Sequence, residues 1–207
     1  MPLAYTKIPL ETFETLQLNA GIVTDTFDPD TTVAGEPMFA TTGGLKFQDA
    51  IEFQDFGEGI DNCPTNTKEL KRITGHTVTM GGTAITLANK ACKSFMAAAD
   101  EAKKSGYTKF TPRNELKDDD FKPLWWIGDY GVNGWVAIEI HNALNTGGFQ
   151  IQTNDKNKGT FPFEYTGHMS ISDQDAVPYD IYLAEGTDSS AVTSALLESE
   201  AAGDEQA

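Results

Sequence analysis

Residues 135–183 read WVAIEIHNALNTGGFQIQTNDKNKGTFPFEYTGHMSISDQDAVPYDIYL, and they divide into four strands at 135–142, 149–153, 160–171 and 178–183. The third is the clearest. Phe161, Phe163, Tyr165, Met169 and Ile171 fall on one parity, and Thr160, Glu164, Thr166, His168 and Ser170 on the other. A period of two places each set on its own face of a pleated strand. Phe149 and Ile151 alternate with Gln150 and Gln152, and Tyr179, Ile181 and Leu183 repeat the pattern. The intervening stretches 145–148, 154–159 and 172–175 are rich in turn formers. One apolar face and one polar face describe an antiparallel meander covering a core on one side.

Working outward, Leu16, Leu18, Ala20 and Ile22 alternate with polar residues as a first strand. Residues 27–37 form a loop, Gly43-Gly44 is a break, and 46–56 is a second long strand. Residues 57–66 form another loop, and 68–80 is a third strand. Gly81-Gly82 turns the chain into a short strand over 83–87. The spacing of Ala88, Ala91, Cys92, Phe95, Met96 and Ala99 predicts a helix over 88–104, with Lys103 and Lys104 in its last turn and Gly106 as the stop. Residues 124–130 return as a strand carrying Trp125 and Trp126 on opposite faces, one toward the core and the other marking a subunit contact. The fold class is mainly β: two packed antiparallel sheets, as a sandwich or partly closed barrel, with roughly eight strands and one flanking α-helix. The β domain spans 1–185. Residues 186–207 are small, polar and acidic and read as a disordered tail dispensable for folding.

The chain has 207 residues, 31 acidic and 15 basic, for a net charge of −16. Such a surface repels phosphate, which argues against a grip on DNA or RNA. No basic stretch followed by an apolar run marks a signal peptide, and no segment approaches the ~20 apolar residues of a membrane span. Cys63 and Cys92 read as free thiols. His76, His141 and His168 sit inside expected strands without metal-ligand spacing, and the two cysteines lack the paired spacing of a zinc site. Asp28-Pro29-Asp30 lacks the glycine and terminal glutamate of a calcium loop. The Gly-Gly pairs at 43, 81 and 147 lie in no phosphate-loop context. The expectation is a protein with no catalytic, cofactor or metal residues.

A set of phrases is more specific: Asp55-Phe56-Gly57-Glu58, Asp61-Asn62-Cys63-Pro64, residues 66–72 (NTKELKR), Thr111-Pro112-Arg113-Asn114, residues 125–130 (WWIGDY), residues 141–148 (HNALNTGG), residues 163–168 (FEYTGH) and Val177-Pro178-Tyr179. Over residues 10–185 the chain resembles the major tail (tail tube) proteins of long-tailed bacteriophages with non-contractile tails. The resemblance implies a virion structural protein made in the host bacterial cytoplasm. Six subunits form a ring, long hairpins join into a β-barrel around a lumen, and rings stack into a tube that delivers the genome. Partners would be further copies of itself and the tape measure, tail terminator and distal tail proteins, with DNA passing through unbound and no membrane involved. Alternative readings are the tube subunit of a secretion system or tailocin, and a monomeric β-sandwich carbohydrate-binding module using Trp125 or Trp126.

Within that reading the strands over 14–26 and 46–56 form the lumen-facing hairpins. Gln17, Asn19, Gln48, Glu52 and Gln54 line the lumen on a parity without basic residues, while Leu16, Leu18, Phe47, Ile51 and Phe53 pack on the core. Loops 27–37 and 57–66, with the N-terminal segment, make the ring-to-ring contacts. Phe95 and Met96 pack the helix on the sheet.

Overall fold

The structure is a computed structural model and describes Thr12 and residues 15–186; the acidic segment 187–207 and most of the first 14 residues lie outside the described part. Seven antiparallel strands form the main body. They are β1 (Gln17–Thr24), β4 (Thr41–Asp55), β5 (Lys71–Ala84), β8 (Lys122–Tyr130), β9 (Gly134–Asn145), β10 (Phe161–Thr166) and β11 (Tyr179–Ala184), after the small hairpin β2 (Phe27–Asp28) and β3 (Val33–Ala34). The hydrogen-bonded order is β1-β8-β9-β10-β5-β4, with β11 also on β9. The β9–β10 link is only two pairs, Tyr165 with Asn145 and Thr166 with Leu144. There the ribbon folds into two sheets, β1-β8-β9-β11 and β4-β5-β10, packed face to face. A single bridge from Val23 to Phe39 approaches closure at the other side, and the barrel stays open.

The core lies between the sheets. Val23, Leu124 and Ile140 from one sheet meet Val78, Met80, Phe161, Phe163 and Tyr165 from the other, and Phe39 and Phe95 seal the end. Phe95 stacks on Phe163 at 5.7 Å between ring centres and tilts against Phe39 at 5.1 Å. Asn145 is buried at the corner where both sheets and the helix meet. Its Nδ2 donates to the Phe95 and Gly148 carbonyls, and its Oδ1 accepts from the Glu164 amide. A buried amide with partners on three segments fixes their relative position, because leaving any of them unpaired would be costly.

β9 is the hub. Asn142, at φ 46°, breaks its alternation. Before it, Ile138 and Ile140 face the core; after it, Ala143 does. The outer face of the first sheet carries a second aromatic cluster. Phe27 on the β2–β3 hairpin folds over Trp125 and Trp135 at 5.4 and 5.1 Å, and Tyr182 lies 5.3 Å from Trp125.

The mainly β architecture with one α-helix is as the alternation implies, but several elements differ. The helix α1 is only Asn89–Phe95. Ala97 takes φ 59° and ends it, and Ala99–Lys104 becomes strand β6, paired with β7 (Tyr107–Pro112). Gly106, at φ 89°, is the hairpin turn rather than a helix stop. The Lys-Lys-x-Gly signal suits either role, and the pairing with β7 decides. Gly81-Gly82 does not turn the chain but lies inside β5. A Cβ on Gly82 would come within 2.4 Å of Leu45 Cδ2 and 3.1 Å of Phe163 Cζ, so both neighbours need the missing side chain. Gly43 and Gly44, at φ 78° and 79°, form a bulge inside β4. Residues 149–153 make one bridge, Gln152 to Thr160, and no strand; Phe149 and Ile151 are exposed. The strand at 160–171 stops at Thr166, leaving Met169 and Ile171 exposed. β11 returns to β9 rather than to β10, so the four-strand meander is not formed.

Candidate functional site: the projecting hairpin

β4 and β5 pair over almost their whole length, from Thr41 with Ala84 to Asp55 with Lys71. Opposed residues share a face. One face runs Phe47/Met80, Asp49/Val78, Ile51/His76 and Phe53/Ile73. Its first half is core. Its second half extends past the sandwich, leaving Ile51 42%, Phe53 55% and Ile73 54% exposed, with Phe56 and Ile60 exposed in the loop beyond. The expected packing of Leu16, Ile51 and Phe53 on the core is therefore not found: all three are exposed, and the described residues do not cover them. Phe47 is half-buried against the core, and the Leu18 side chain lies outside the described set.

A polar clasp sits where the hairpin leaves the core. His76 Nδ1 lies 2.8 Å from Asp49 Oδ2, and the Tyr179 hydroxyl donates to the same oxygen at 3.3 Å. Burial, then the Asp49 charge, pushes the Tyr179 hydroxyl up from its ordinary range. Lys71 Nζ lies 5.1 Å above the Phe53 ring, a cation–π contact at the tip. Asp55 organises the loop that follows, accepting from the Gly57 and Asn66 amides at 2.8 Å each. Those two amides, with desolvation opposing, hold its carboxyl below the usual carboxylate range.

The opposite face of the hairpin carries Gln48, Glu52 and Gln54, all exposed. The pairing adds Thr79, Thr77 and Gly75, but also Arg72 opposite Gln54 and Lys46 opposite Gly81. The face is thus mainly amide and hydroxyl, with Lys46 and Arg72 against the single acid Glu52, and not free of basic residues. Gln17 and Asn19 are elsewhere. They sit on β1, at the other end of the strand order, where the chain bulges against β8 between Leu18 and Ile22. Asn19, at φ 58°, bonds Asp129 and the Gly21 amide. Strands 1 and 4 are not partners in a hairpin. Phe95 is 1% exposed within the core, and Met96 is the half-buried helix cap.

Trp125 is buried and Trp126 half-buried, with Trp126 Nε1 donating to the Ala20 carbonyl at 2.9 Å. Neither ring is presented as a platform for a sugar. Trp125, expected to face either the core or a subunit, is covered by this chain's own Phe27. The fold brings one histidine near carboxylates that its spacing did not reveal. His141 Nε2 lies 2.9 Å from Asp180 Oδ2 and 3.9 Å from Glu139 Oε2, close enough in principle to share a cation. The Tyr182 hydroxyl donates to Glu139 Oε2 at 3.1 Å. His141 and Asp180 are well exposed, so the group reads as a surface hydrogen bond between β9 and β11. The thiols of Cys63 and Cys92 are free, and burial pushes the Cys92 thiol up.

Sequence reasoning missed Ile73, Phe56 and Ile60 as surface residues. The available signal was length: two strands longer than the core they cover must expose their ends.

Among the described residues no helix is long and apolar enough to cross a membrane. No protein-family model matches the sequence, and no curated protein matches it. Among solved structures it is similar to a chain in the tail of an empty gene transfer agent particle refined helically with C6 symmetry. Identity is 8% and the TM-score 0.41, over 73% of this chain and 92% of that one. It is also similar to a chain in the virion of a native gene transfer agent particle, at 9% identity and TM-score 0.40 over the same shares.

Proposed function

We propose that this chain is a virion structural protein, the subunit of a phage-type tail tube, and that its role is assembly and not catalysis. The observation that carries the reading is β4. It ends the strand order, so its outer edge offers backbone donors and acceptors along a 15-residue strand. No strand among the described residues covers that edge, and the apolar stripe Ile51, Phe53 and Ile73 lies beside it. A long flat apolar edge is an aggregation hazard unless it has a designated partner. Further copies of the same chain, closed into a ring, remove every edge at once.

In such a ring of six, the β4–β5 hairpins form the inner barrel. The stripe packs against neighbouring material, and Gln48, Glu52 and Gln54 face the lumen. Amides and hydroxyls make up most of the face and hold no phosphate firmly, and although Lys46 and Arg72 outnumber Glu52 there, the chain's net charge of −16 repels it. DNA therefore passes without a brake. Stacked rings present the 57–66 loops to one another, and tape measure, terminator and distal tail proteins meet the tube at its lumen and ends.

Size-exclusion chromatography and negative-stain microscopy of the purified protein test this. Rings or tubes are expected. A 22.5 kDa monomer at all concentrations would overturn it. Replacing Ile51 and Phe53 by Ser should abolish rings while the subunit stays folded.

A further inference from the structure

A cleft of about 360 Å³ opens between α1, β6 and the start of β8, away from the projecting hairpin. Its floor is apolar, formed by Met38, Leu124, Ala143 and the Tyr165 ring, whose hydroxyl lies 2.6 Å from Ser94 Oγ. Its rim is rich in lysine. Lys90 is paired with Asp25 at 2.7 Å. Lys93, Lys103 and Lys122 form no ion pair among the described residues. Of the acids on the rim, Asp120 is held by Arg113 at 2.6 Å, leaving Glu101 and Asp119. In a chain with about twice as many acids as bases, a rim of four lysines and four acids, three of the lysines without an ion pair among the described residues, is locally far less acidic than the rest.

The chain carries the complement. Residues 187–207 contain Asp188, Glu198, Glu200, Asp204 and Glu205 and no Lys or Arg, and their largest apolar group is Leu196-Leu197, directly before Glu198. We infer that the cleft binds this segment, with Leu196 and Leu197 on the apolar floor and Glu198 and Glu200 against Lys93, Lys103 and Lys122. Ala184 pairs with Trp135, so the chain leaves the body at the end of β9 remote from Ala143. The gap is roughly 25–30 Å along the strand. Ten further residues reach at most about 35 Å when fully extended. The segment can thus meet the cleft of its own subunit only along a nearly straight path, and that of another copy more freely.

The test uses the full chain with a photoreactive benzophenone side chain at position 197, irradiated in a mixture of isotopically light and heavy protein. Crosslinks to residues 89–95 or 122–124 are expected, and mixed-isotope pairs report whose segment is bound. Lys93→Glu with Lys122→Glu should lower the yield about fivefold, the loss expected from two exposed ion pairs of roughly 0.5 kcal/mol each. Glu198→Lys with Glu200→Lys in that background should restore it. Should the lysine variant lose its native near-ultraviolet circular dichroism, salt titration of the otherwise unaltered chain replaces it, and the yield should fall as salt rises. Crosslinks mapping elsewhere, no crosslinks, or a yield indifferent to both charge reversal and salt would overturn the proposal. Because crosslinking is read whether or not rings form, its failure is separate from that of the tube reading.

Discussion

The β4–β5 hairpin is one continuous ladder with two unlike halves. Near the sandwich, Met80 and Val78 are 1% and 0% exposed, and Phe47 leans on the Tyr179 ring at 5.2 Å. Past the Asp49–His76 clasp, the same face carries Ile51, Phe53 and Ile73 in solvent. Antiparallel backbone pairing runs through both, interrupted in the outer half only by a bulge at Thr74, so pairing does not explain the apolar sequence of the outer half. In the inner half the side chains stabilise the subunit. In the outer half they lie in solvent and contribute little to it, and under the proposed assembly a neighbouring copy would bury them.

Three measurements separate those halves. Phe95→Ala removes a ring packed on Phe39, Phe163 and Tyr165, and should destabilise the subunit by about 3–5 kcal/mol in denaturant unfolding. A loss under about 1 kcal/mol would mean that the inner half is not a core. A smaller, local effect is expected at Asp55. Its carboxyl is held low by the Gly57 and Asn66 amides, so its contribution is complete above the ordinary carboxylate pKa. That contribution disappears as pH falls through the depressed folded-state value. Exchange protection of the Gly57 and Asn66 amides, corrected for intrinsic rates, should drop in that acidic window, and Asp55→Ala should remove it at neutral pH. Protection independent of pH would detach the loop from Asp55. The smallest effect on the isolated subunit belongs to Phe53→Ser with Ile73→Ser, within about 0.5 kcal/mol. A large loss there would show that the outer half is already packed in the monomer.

Much of the sandwich was legible because its strands alternate cleanly. Phe161, Phe163 and Tyr165 read as one buried face and are one. Alternation fails where it needs a partner that the sequence does not name. Phe149 and Ile151 alternate as well, yet no strand lies beside them. The helix was overextended because Ala99, Glu101, Ala102, Lys103 and Lys104 are good helix formers, and nothing marks Ala97 as a left-handed stop. Gly81-Gly82 looked like a turn because glycine serves both turning and close approach. At the candidate site, the amide face of β4 was visible, whereas Arg72 joins it only through a register set by a bulge at Thr74. The exposure of Ile51 and Phe53 was not readable, since alternation reports a face and not what covers it.

The place of β1 bears on the order of folding. Ala20 accepts from the Trp126 indole across 106 positions, whereas β4 and β5 are consecutive in the chain, joined by residues 56–70, and close on each other locally. Non-local closure is slow, since chain entropy is lost before the contacts form. At roughly 5–20 residues per second of synthesis, the first strand waits on the order of ten seconds for β8 to emerge. The projecting hairpin is therefore formed, with its edge and apolar stripe bare, while the first sheet is still incomplete. In that interval a nascent chain can meet a wrong neighbour, and its yield in the cell depends on how many such chains are being made at once.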